Sequence, residues 1–563
     1  MTSARRGCSL QGHHGRARSV HTAVASGAAL SAPPLSRRLS STDAAFLYAE
    51  REDAPMHIGA VAVVDGDLDF AAYSRSIAAK LDRLPRFRQK AVPAPFNLGH
   101  PTWELDSGFD LAKHLFVRVV EAPGGRDQLF AAAADVFTGM LDRSKPLWEL
   151  HLLRGLEGGR SALVSKIHHS MVDGVGANEI VTTILDLGKT VAPAETAVAP
   201  AAAAEGEPLA PLDALWANTK ATVDAWSRAA LAMLEAGRTF TSEQAQVTLQ
   251  ALNETIPDLA LPLVRLPFNR RGSKRRKLVG TEFSFAEARA IRGALGGTVN
   301  DVVLAALAGG IARYCRHHGM SVAGRTMRVM VPVNVRASAE SSALGNQVSL
   351  LPVSVPLDID DPGRRLRAIH GTTRILKAAK VAEGIFQMAN LWGVVPPPIQ
   401  AVFGALGSLA PGPAFNMVCT NVPGPQIRLY ALEHPVIAYY PSVPVGYQMG
   451  LGCAIFSYDQ RLFIGLTADV AACPDVELAL AMVEEALVEL RAAAGIAAIG
   501  VLDTARPARA EAAAAGGGAQ LPVVRPRAAR GRGPTRAGGA ARGRRAKIAP
   551  DRGPERETTR DPG

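Results

Sequence analysis

Apolar and polar positions follow two different periods along this chain, and the periods predict strands that alternate with helices. Residues 56–64 and 161–167 are mostly apolar runs with small polar interruptions, which is typical of buried strands. Residues 69–81 instead place apolar side chains at helical spacing, and residues 175–187 predict a second helix. Residues 146–153 alternate in part, which predicts a further strand just before the strand at 161–167.

The same alternation returns in the second half of the chain. Residues 278–284 predict a strand, residues 286–295 a helix, and Thr298 precedes a long apolar helix that continues through Tyr314. Further strands are predicted at 327–333, 347–355, 446–458 and 462–469, and a closing helix at 474–493. This pattern indicates an α/β protein with α+β layers, and it leaves the order of the strands open.

Composition divides the chain into five stretches. Residues 190–211 are an Ala/Pro/Glu run without a periodic face, which is typical of a linker. The two ends are rich in Arg with Gly, Pro, Ala or Ser, which predicts disorder; a start codon assigned too far upstream is an alternative explanation of the leader. The predicted organisation is a disordered leader at 1–38, an N-terminal lobe at 39–189, a linker with inter-domain helices at 190–277, a C-terminal lobe at 278–502 and a disordered basic tail at 503–563.

The net charge of +11 is concentrated in the two ends of the chain. Residues 1–41 contribute +6 and residues 503–563 contribute +8, which leaves −3 for residues 42–502. A folded part so close to neutral, without aromatic residues between its basic ones, does not favour nucleic-acid binding. The five cysteines show no metal-ligand spacing, so no metal site is predicted, and their odd number favours a reducing cytoplasm.

One short stretch carries the candidate chemistry. His168 and His169 lie where the predicted strand at 161–167 ends, and Asp173 and Gly174 follow shortly after them. An imidazole titrates near neutral pH and can take a proton from an alcohol. Gly174 permits a tight turn, and residues at such turns often face a cleft. A simpler interpretation makes the histidines ordinary loop residues and Asp173 a helix N-cap; a bare histidine pair favours that interpretation.

The whole pattern His-His-x-x-x-Asp-Gly resembles the active-site motif of the CoA-dependent acyltransferase superfamily. Seven further motifs, over residues 39–502, resemble those of one bacterial family and occur in its order: the wax ester synthase/acyl-CoA:diacylglycerol acyltransferase family. They are Leu-Ser-Ser-Thr-Asp at 39–43, Pro-Met-His-Ile-Gly at 55–59, Pro-Leu-Trp at 146–148, Thr-Val-Asn-Asp at 298–301, Val-Pro-Val-Asn-Val-Arg at 331–336, Leu-Gly-Asn-Gln at 344–347 and Asn-Val-Pro-Gly-Pro at 421–425. The resemblance implies two chloramphenicol-acetyltransferase-like lobes, each a mixed sheet with helices, and a channel between them.

The resemblance also implies a reaction. Acyl-CoA is the co-substrate, no cofactor is bound, and the acceptor is the hydroxyl of diacylglycerol or of a long-chain alcohol. By resemblance, His169 takes the hydroxyl proton while the oxygen attacks the thioester, and then protonates the departing thiolate. His168 braces the turn or lines the cleft, and Asp173, beside Gly174, holds the turn by pairing with an arginine, for which Arg336 is the candidate. No acyl-enzyme is required.

Other residues in the matching motifs are candidates for contact with the substrate or the oxyanion. They are Asn300, Asp301, Asn334 and Arg336. For Asp301, three residues after Thr298, a helix-capping role is the simpler interpretation.

The basic cluster at 269–277 is a candidate for binding the phosphates of CoA through Arg275, Arg276 and Lys277. An ordinary surface loop is the simpler interpretation of this cluster.

The predicted acceptor requires contact with a lipid phase, although no stretch predicts a membrane span. A helix at 212–252 with tryptophans on its apolar side either packs between domains or lies on a membrane surface. Residues 384–427 contain no charged residue, but prolines divide them into pieces too short to span a bilayer. These residues form either a lipid-facing surface or ordinary core. The sequence therefore predicts a cytoplasmic enzyme attached peripherally to a membrane or lipid inclusion.

Three functions compete for this sequence. The first is an acyl-CoA-dependent O-acyltransferase that acts on diacylglycerol or on a long-chain alcohol. The second is a condensation-like enzyme that takes the acyl group from a carrier-protein thioester. The third is a non-catalytic lipid-droplet binding protein, which has no need of the base that the histidine motif supplies. Whether diacylglycerol or the alcohol is preferred depends on the shape of the channel, which the sequence leaves open.

Overall fold

The structure is a computed structural model, and it describes residues 38–172, 176–189, 263–334, 348–382, 384–385, 395, 397–406 and 414–498, with residues 220, 223, 224 and 227. Asp173, Gly174 and Arg336 lie outside the described residues, as do the leader at 1–37, the tail at 503–563 and nearly all of the predicted helix at 212–252. The side chain of Asn334 is also outside the described part.

The described helices begin at the capping signals in the sequence. Ser40 accepts a hydrogen bond from the Asp43 backbone N–H at the start of helix α1. Thr298 and Asp301 form a reciprocal capping box at the start of helix α6. The helices are α1 (Ser41–Ala49), α2 (Phe70–Lys80), α3 (Arg126–Thr138), α4 (Gly176–Ile184), α5 (Phe285–Leu295), α6 (Val299–His317), α7 (Pro362–Ala378), α8 (Pro397–Leu406) and α9 (Val476–Ala493).

The strands form two six-stranded mixed sheets and a small hairpin of β2 and β3. The strands of the first half are β1 (His57–Val64), β2 (Gln89–Val92), β3 (Thr102–Leu105), β4 (Leu115–Val119), β5 (Trp148–Leu156) and β6 (Arg160–His168). The strands of the second half are β7 (Arg276–Ser284), β8 (Thr326–Asn334), β9 (Val348–Pro356), β10 (Met417–Pro423), β11 (Tyr430–Ala431), β12 (His434–Ser442), β13 (Leu451–Tyr458) and β14 (Arg461–Asp469).

Sheet order shows how the two halves of the chain are joined. The first sheet has the order β11-β12-β1-β6-β5-β4, and the second has the order β7-β14-β13-β10-β8-β9. Each sheet contains both parallel and antiparallel neighbours, so the predicted mixed sheets in two lobes are confirmed. Strands β11 and β12 come from the second half of the chain but extend the first sheet, where β12 pairs with β1. The division into lobes at residues 189 and 278 stays a prediction.

Each sheet carries its own hydrophobic core. The first core lies on β1, β5, β6 and β12 under α2 and α3, and the second surrounds the nearly all-apolar helix α6. Trp148 is fully buried in the first core and donates its indole N–H to the Phe87 carbonyl. Strand β1 begins beside the candidate site and strand β6 ends there, and both are packed on this core.

No single helix among the described residues has the length and hydropathy needed to cross a membrane. Helices α5 and α6 meet the length and composition test only as a pair, and the pair is bent by 92°.

Candidate active site

The histidine pair lies where strand β6 ends. His168 is the last residue of β6 and pairs with His57 of β1 across the antiparallel ladder. One turn of 3-10 helix, His169–Met171, follows immediately. The His168 ring caps this turn because its Nδ1 accepts the Ser170 backbone N–H at 3.1 Å and lies 2.7 Å from the Ser170 hydroxyl. The turn therefore presents His169 from a fixed strand end.

His169 is held on both of its sides. Its backbone N–H donates to the Met56 carbonyl at 2.8 Å, and its ring stacks on Phe46 of α1 with centroids 3.9 Å apart and planes 10° apart. Burial lowers the pKa of His169 to about 4, its own backbone hydrogen bond acts in the opposite direction, and the neighbouring His168 lowers it slightly further. The ring is therefore neutral at physiological pH, which is the form that accepts a proton.

Glu50 is a buried carboxylate beside the pair. Its Oε1 lies 3.5 Å from His168 Nε2 and accepts the Met56 backbone N–H at 3.1 Å. Its Oε2 accepts two hydrogen bonds from Arg143, at 2.9 and 3.2 Å. Burial alone would raise the pKa of Glu50, but the adjacent His168 ring, with the Arg143 and Met56 donors, lowers it to about 2. The site therefore contains a permanent negative charge.

Two further buried groups share this face of the sheet. His57 donates from Nε2 to the Phe137 carbonyl at 2.8 Å, and burial lowers the pKa of His57 to about 3. Lys166, two residues before His168, is only 3% exposed, and burial lowers its pKa to about 8 although Glu149 and Glu50 favour its charged form. The hydrogen bond of His57 does not involve the reactive ring of His169. We therefore assign His57 a structural role.

Two of the other predicted substrate residues, Asn300 and Asp301, have described contacts at the start of α6. Asn300 at the start of α6 lies 3.4 Å from the Asn421 amide, which brings two of the sequence motifs together. Asp301 is fully buried, and its carboxylate accepts hydrogen bonds from Thr298, His370 and Thr373. Its capping role is thus observed. Contact of Asn300, Asn334 or Arg336 with substrate stays a prediction.

The three candidate residues for the CoA phosphates, in the basic cluster at 269–277, differ in burial: Arg276 is buried, Lys277 is half-buried and Arg275 is exposed. Arg276 is buried and donates to Asp469 at 2.8 Å, to the Asp53 carbonyl at 2.7 Å and to the Val445 carbonyl at 3.2 Å. These contacts occupy its guanidinium, so Arg276 is a structural residue and is not available to a phosphate. Lys277 donates to Glu477 at 2.8 Å, and Arg275 is exposed.

Comparisons with known proteins agree with the motifs. The profile of the wax ester synthase/diacylglycerol acyltransferase catalytic domain matches residues 39–303, and that of the C-terminal domain of the same family matches residues 344–491. Together the two matches span most of the chain. This chain belongs to the wax ester synthase/diacylglycerol acyltransferase family. It is therefore an acyltransferase.

Individual members and solved structures of this fold are similar over most of their length. The probable diacylglycerol O-acyltransferase tgs1 of Mycobacterium tuberculosis is 29% identical over 461 residues, which is 80% of this chain and 95% of that protein. The wax ester synthase/diacylglycerol acyltransferase of Marinobacter aquaeolei VT8 has a TM-score of 0.56 at 23% identity, over 82% of this chain and 100% of that one. The first condensation domain of the calcium-dependent antibiotic synthetase has a TM-score of 0.53 at 16% identity, over 82% and 97%. Both structures share the fold.

The sequence did not reveal three side chains of the candidate active site. Phe46, Glu50 and Arg143 surround the histidine pair, yet each lies more than twenty residues from it along the chain. The one available signal was the i, i+4 spacing of Phe46 and Glu50 in the predicted helix that follows Asp43. That spacing shows that the two side chains share a face but not what the face contacts.

Proposed function

We propose that this protein transfers a long-chain acyl group from acyl-CoA to the hydroxyl of diacylglycerol, which makes triacylglycerol, and to long-chain alcohols, which makes wax esters. The observation that supports this most directly is the neutral, half-buried imidazole of His169, presented on a rigid turn at the end of β6. A positioned neutral imidazole is a suitable base for a hydroxyl group.

The proposed step balances without a covalent enzyme intermediate. The acceptor hydroxyl gives its proton to His169 as its oxygen forms a bond to the thioester carbonyl carbon. The C–S bond then breaks, and His169 returns the proton to the thiolate of CoA. Phe46, stacked on one face of His169, keeps water from that face and fixes the plane of the ring. The carboxylate of Glu50 keeps negative charge beside His168, where positive charge develops nearby during the transfer.

Contact with the phosphates of CoA is proposed for Arg275 and Lys277. Arg275 and Lys277 flank the start of β7, which lies against the segment that follows α1, since Lys274 forms an ion pair with Glu52 and Arg276 donates to the Asp53 carbonyl. Arg275, which is exposed, and Lys277, which is half-buried, therefore lie near the segment that follows Glu50. They suit the anionic end of an acyl-CoA whose thioester reaches His169.

Purified protein, labelled acyl-CoA and either dioleoylglycerol or hexadecanol test this function. We expect one free thiol for each ester formed, and a faster reaction with CoA thioesters than with carrier-protein thioesters. Ester formation from a carrier-protein thioester alone would assign the protein to the condensation-like alternative. Binding of lipid without thiol release would make it a lipid-binding protein.

Helix α8 is the proposed contact with a lipid surface. It lies inside the charge-free stretch at 384–427, and Ile399, Val402 and Phe403 on one of its sides are 45–56% exposed. The opposite side packs on α1, where Gly404 permits a close approach because a Cβ there would come within 2.9 Å of Tyr48. Helix α8 thus joins an exposed apolar face to the helix that contacts both histidines. This arrangement suits delivery of an apolar acceptor from a membrane or lipid inclusion to the site.

We expect Ile399→Asp with Val402→Asp to reduce binding to phosphatidylcholine vesicles containing diacylglycerol by about tenfold or more, because two apolar side chains lose their burial in lipid. Sedimentation with vesicles measures this binding, and transfer to a soluble short-chain alcohol should be unchanged. Val488→Asp, on the exposed side of α9, is the matched control because Val488 is 41% exposed. Equal vesicle binding by the double variant and the control would contradict the assignment of α8.

A further inference from the structure

The last turn of α1 provides one side chain for each histidine of the pair. Phe46 and Glu50 are four residues apart, which places two side chains on the same face of a helix. Phe46 stacks on His169, and the carboxylate of Glu50 faces His168 Nε2 at 3.5 Å. The backbone N–H of Glu50 also donates to the Phe46 carbonyl at 3.0 Å, so the helical turn itself fixes the distance between the two.

We propose that Glu50, held by Arg143, is a positioning residue that orients His168 and, through it, the turn that presents His169. The inference rests on the proposed function and assigns residues that act on the reacting imidazole indirectly.

The contacts form a continuous route from α1 to the turn. Nδ1 of His168 accepts the Ser170 N–H, so a ring proton is placed on Nε2, the atom that faces Glu50. Rotation of the ring would break the contacts at both nitrogens together. The Ser170 N–H at Nδ1 and the Glu50 carboxylate 3.5 Å from Nε2 both favour this tautomer and this plane of His168.

Glu50 is itself fixed from three directions. The Met56 backbone N–H donates to one oxygen, and the Nε and Nη2 of Arg143 donate to the other. Arg143 Nη2 also donates to the Leu47 carbonyl at 2.9 Å, which ties the guanidinium to the end of α1. The Glu50 side chain is fully buried, whereas that of Arg143 is 45% exposed. A substitution of Arg143 should therefore affect folding less than a substitution of Glu50.

Three variants test the inference. Glu50→Gln keeps the size of the side chain and removes its charge, and Arg143→Met removes the two donors that orient the carboxylate. Asp186→Asn is the matched control, because Asp186 forms a largely buried ion pair with Lys80 at 2.9 Å in the same lobe. Each is compared with the unmodified full-length chain by kcat and KM for acyl-CoA, by Tm, and by the 15N shifts of the His168 ring. A His168→Gln sample assigns the His168 signal among the thirteen histidines.

We expect Glu50→Gln to lower kcat by about 10–100-fold while KM for acyl-CoA changes by less than about twofold, because orienting partners of a reactive group act on the chemical step. Arg143→Met should lower kcat in the same sense but less. In both variants, the 15N shifts of the His168 ring should move toward the values of an imidazole that exchanges between its two tautomers. Asp186→Asn should lower Tm without either effect.

A folded Glu50→Gln protein with unchanged kcat and unchanged His168 shifts would overturn the inference. The inference would also be overturned if Asp186→Asn lowered kcat as much as Glu50→Gln does. If Glu50→Gln does not fold, the Arg143→Met shifts and kcat decide the question. The ring shifts are read without any substrate, so failure of the proposed function and failure of this inference are distinguishable.

Discussion

His169→Ala is expected to lower the rate of acyl transfer by about two to four orders of magnitude, because a positioned general base contributes that much to such reactions. Acyl-CoA binding should persist, so the loss should appear in kcat with KM for acyl-CoA little changed. Thiol release from acyl-CoA in the presence of dioleoylglycerol measures the effect. Since burial lowers the pKa of His169 to about 4, the acid limb of the wild-type rate should lie below the value of about 6.5 for a free imidazole.

A second buried histidine of the same sheet is the control for this variant. His151 on β5 is 3% exposed, pairs with Glu149 at 3.1 Å and stacks on Phe116. His151→Gln therefore removes a buried imidazole from the same core without touching the turn. It should lower Tm and leave the rate per folded molecule unchanged. A well-folded His169→Ala protein with near-normal thiol release would contradict the assignment of the base.

Loss of the buried ion pair between Arg276 and Asp469 should destabilise the protein by about 3–5 kcal/mol, because it leaves one charge buried without its partner. Both side chains are 2% exposed, and their atoms are 2.8 Å apart. Asp469 also accepts hydrogen bonds from the backbone N–H groups of Ser273, Ala471 and Ala472. Arg276→Met and Asp469→Ala should each lower the denaturant midpoint strongly.

The exposed pair of Arg154 and Asp67 is the control for the buried one. Their side chains are 41% and 52% exposed, and such surface pairs contribute about 0–1 kcal/mol. Asp67→Asn should therefore change the midpoint little. Per folded molecule, Arg276→Met should keep its KM for acyl-CoA. A stable Arg276→Met protein with a raised KM for acyl-CoA would instead show that Arg276 binds the phosphates of CoA.

Local structure was predictable from the sequence because local signals determine it. The strand expected at 327–333 is Thr326–Asn334, and the strand expected at 278–284 begins two residues earlier, at Arg276. The Thr-x-x-Asp spacing before the long apolar helix predicted the capping box that the structure contains. The mixed sheets and the two lobes came from the family resemblance, since hydrophobic pattern alone does not choose among strand orders.

Arg276 shows why the site was predicted only in part. In a basic cluster all residues look alike, but in a strand side chains alternate between the two faces. Arg276 begins β7 and shares the face of Leu278, so it points inward, whereas Lys277 points outward. The extra two residues of the strand were not visible in the apolar run, and the buried carboxylate of Asp469 lies 193 residues away.

The pairing of distant segments limited the prediction in the same way at the histidines. The motif identified His168 and His169, but Glu50 reaches them only because α1 packs against their turn. Strand β12, from the other half of the chain, likewise pairs with β1 only because the two strands meet in the folded protein. Such contacts depend on the packing of whole elements, and no periodicity within either segment encodes them.

In the proposed mechanism His169 activates the acceptor for direct attack on the thioester, without an acyl-enzyme. The competing nucleophile is the hydroxyl of Ser170, which lies 2.7 Å from Nδ1 of His168. Rapid mixing of the protein with labelled acyl-CoA, first without and then with dioleoylglycerol, distinguishes the two routes. We predict no burst of thiol without acceptor, and one thiol per ester once acceptor is added. A thiol burst equal to the enzyme concentration in the absence of acceptor, with the acyl label retained on the protein, would contradict the account.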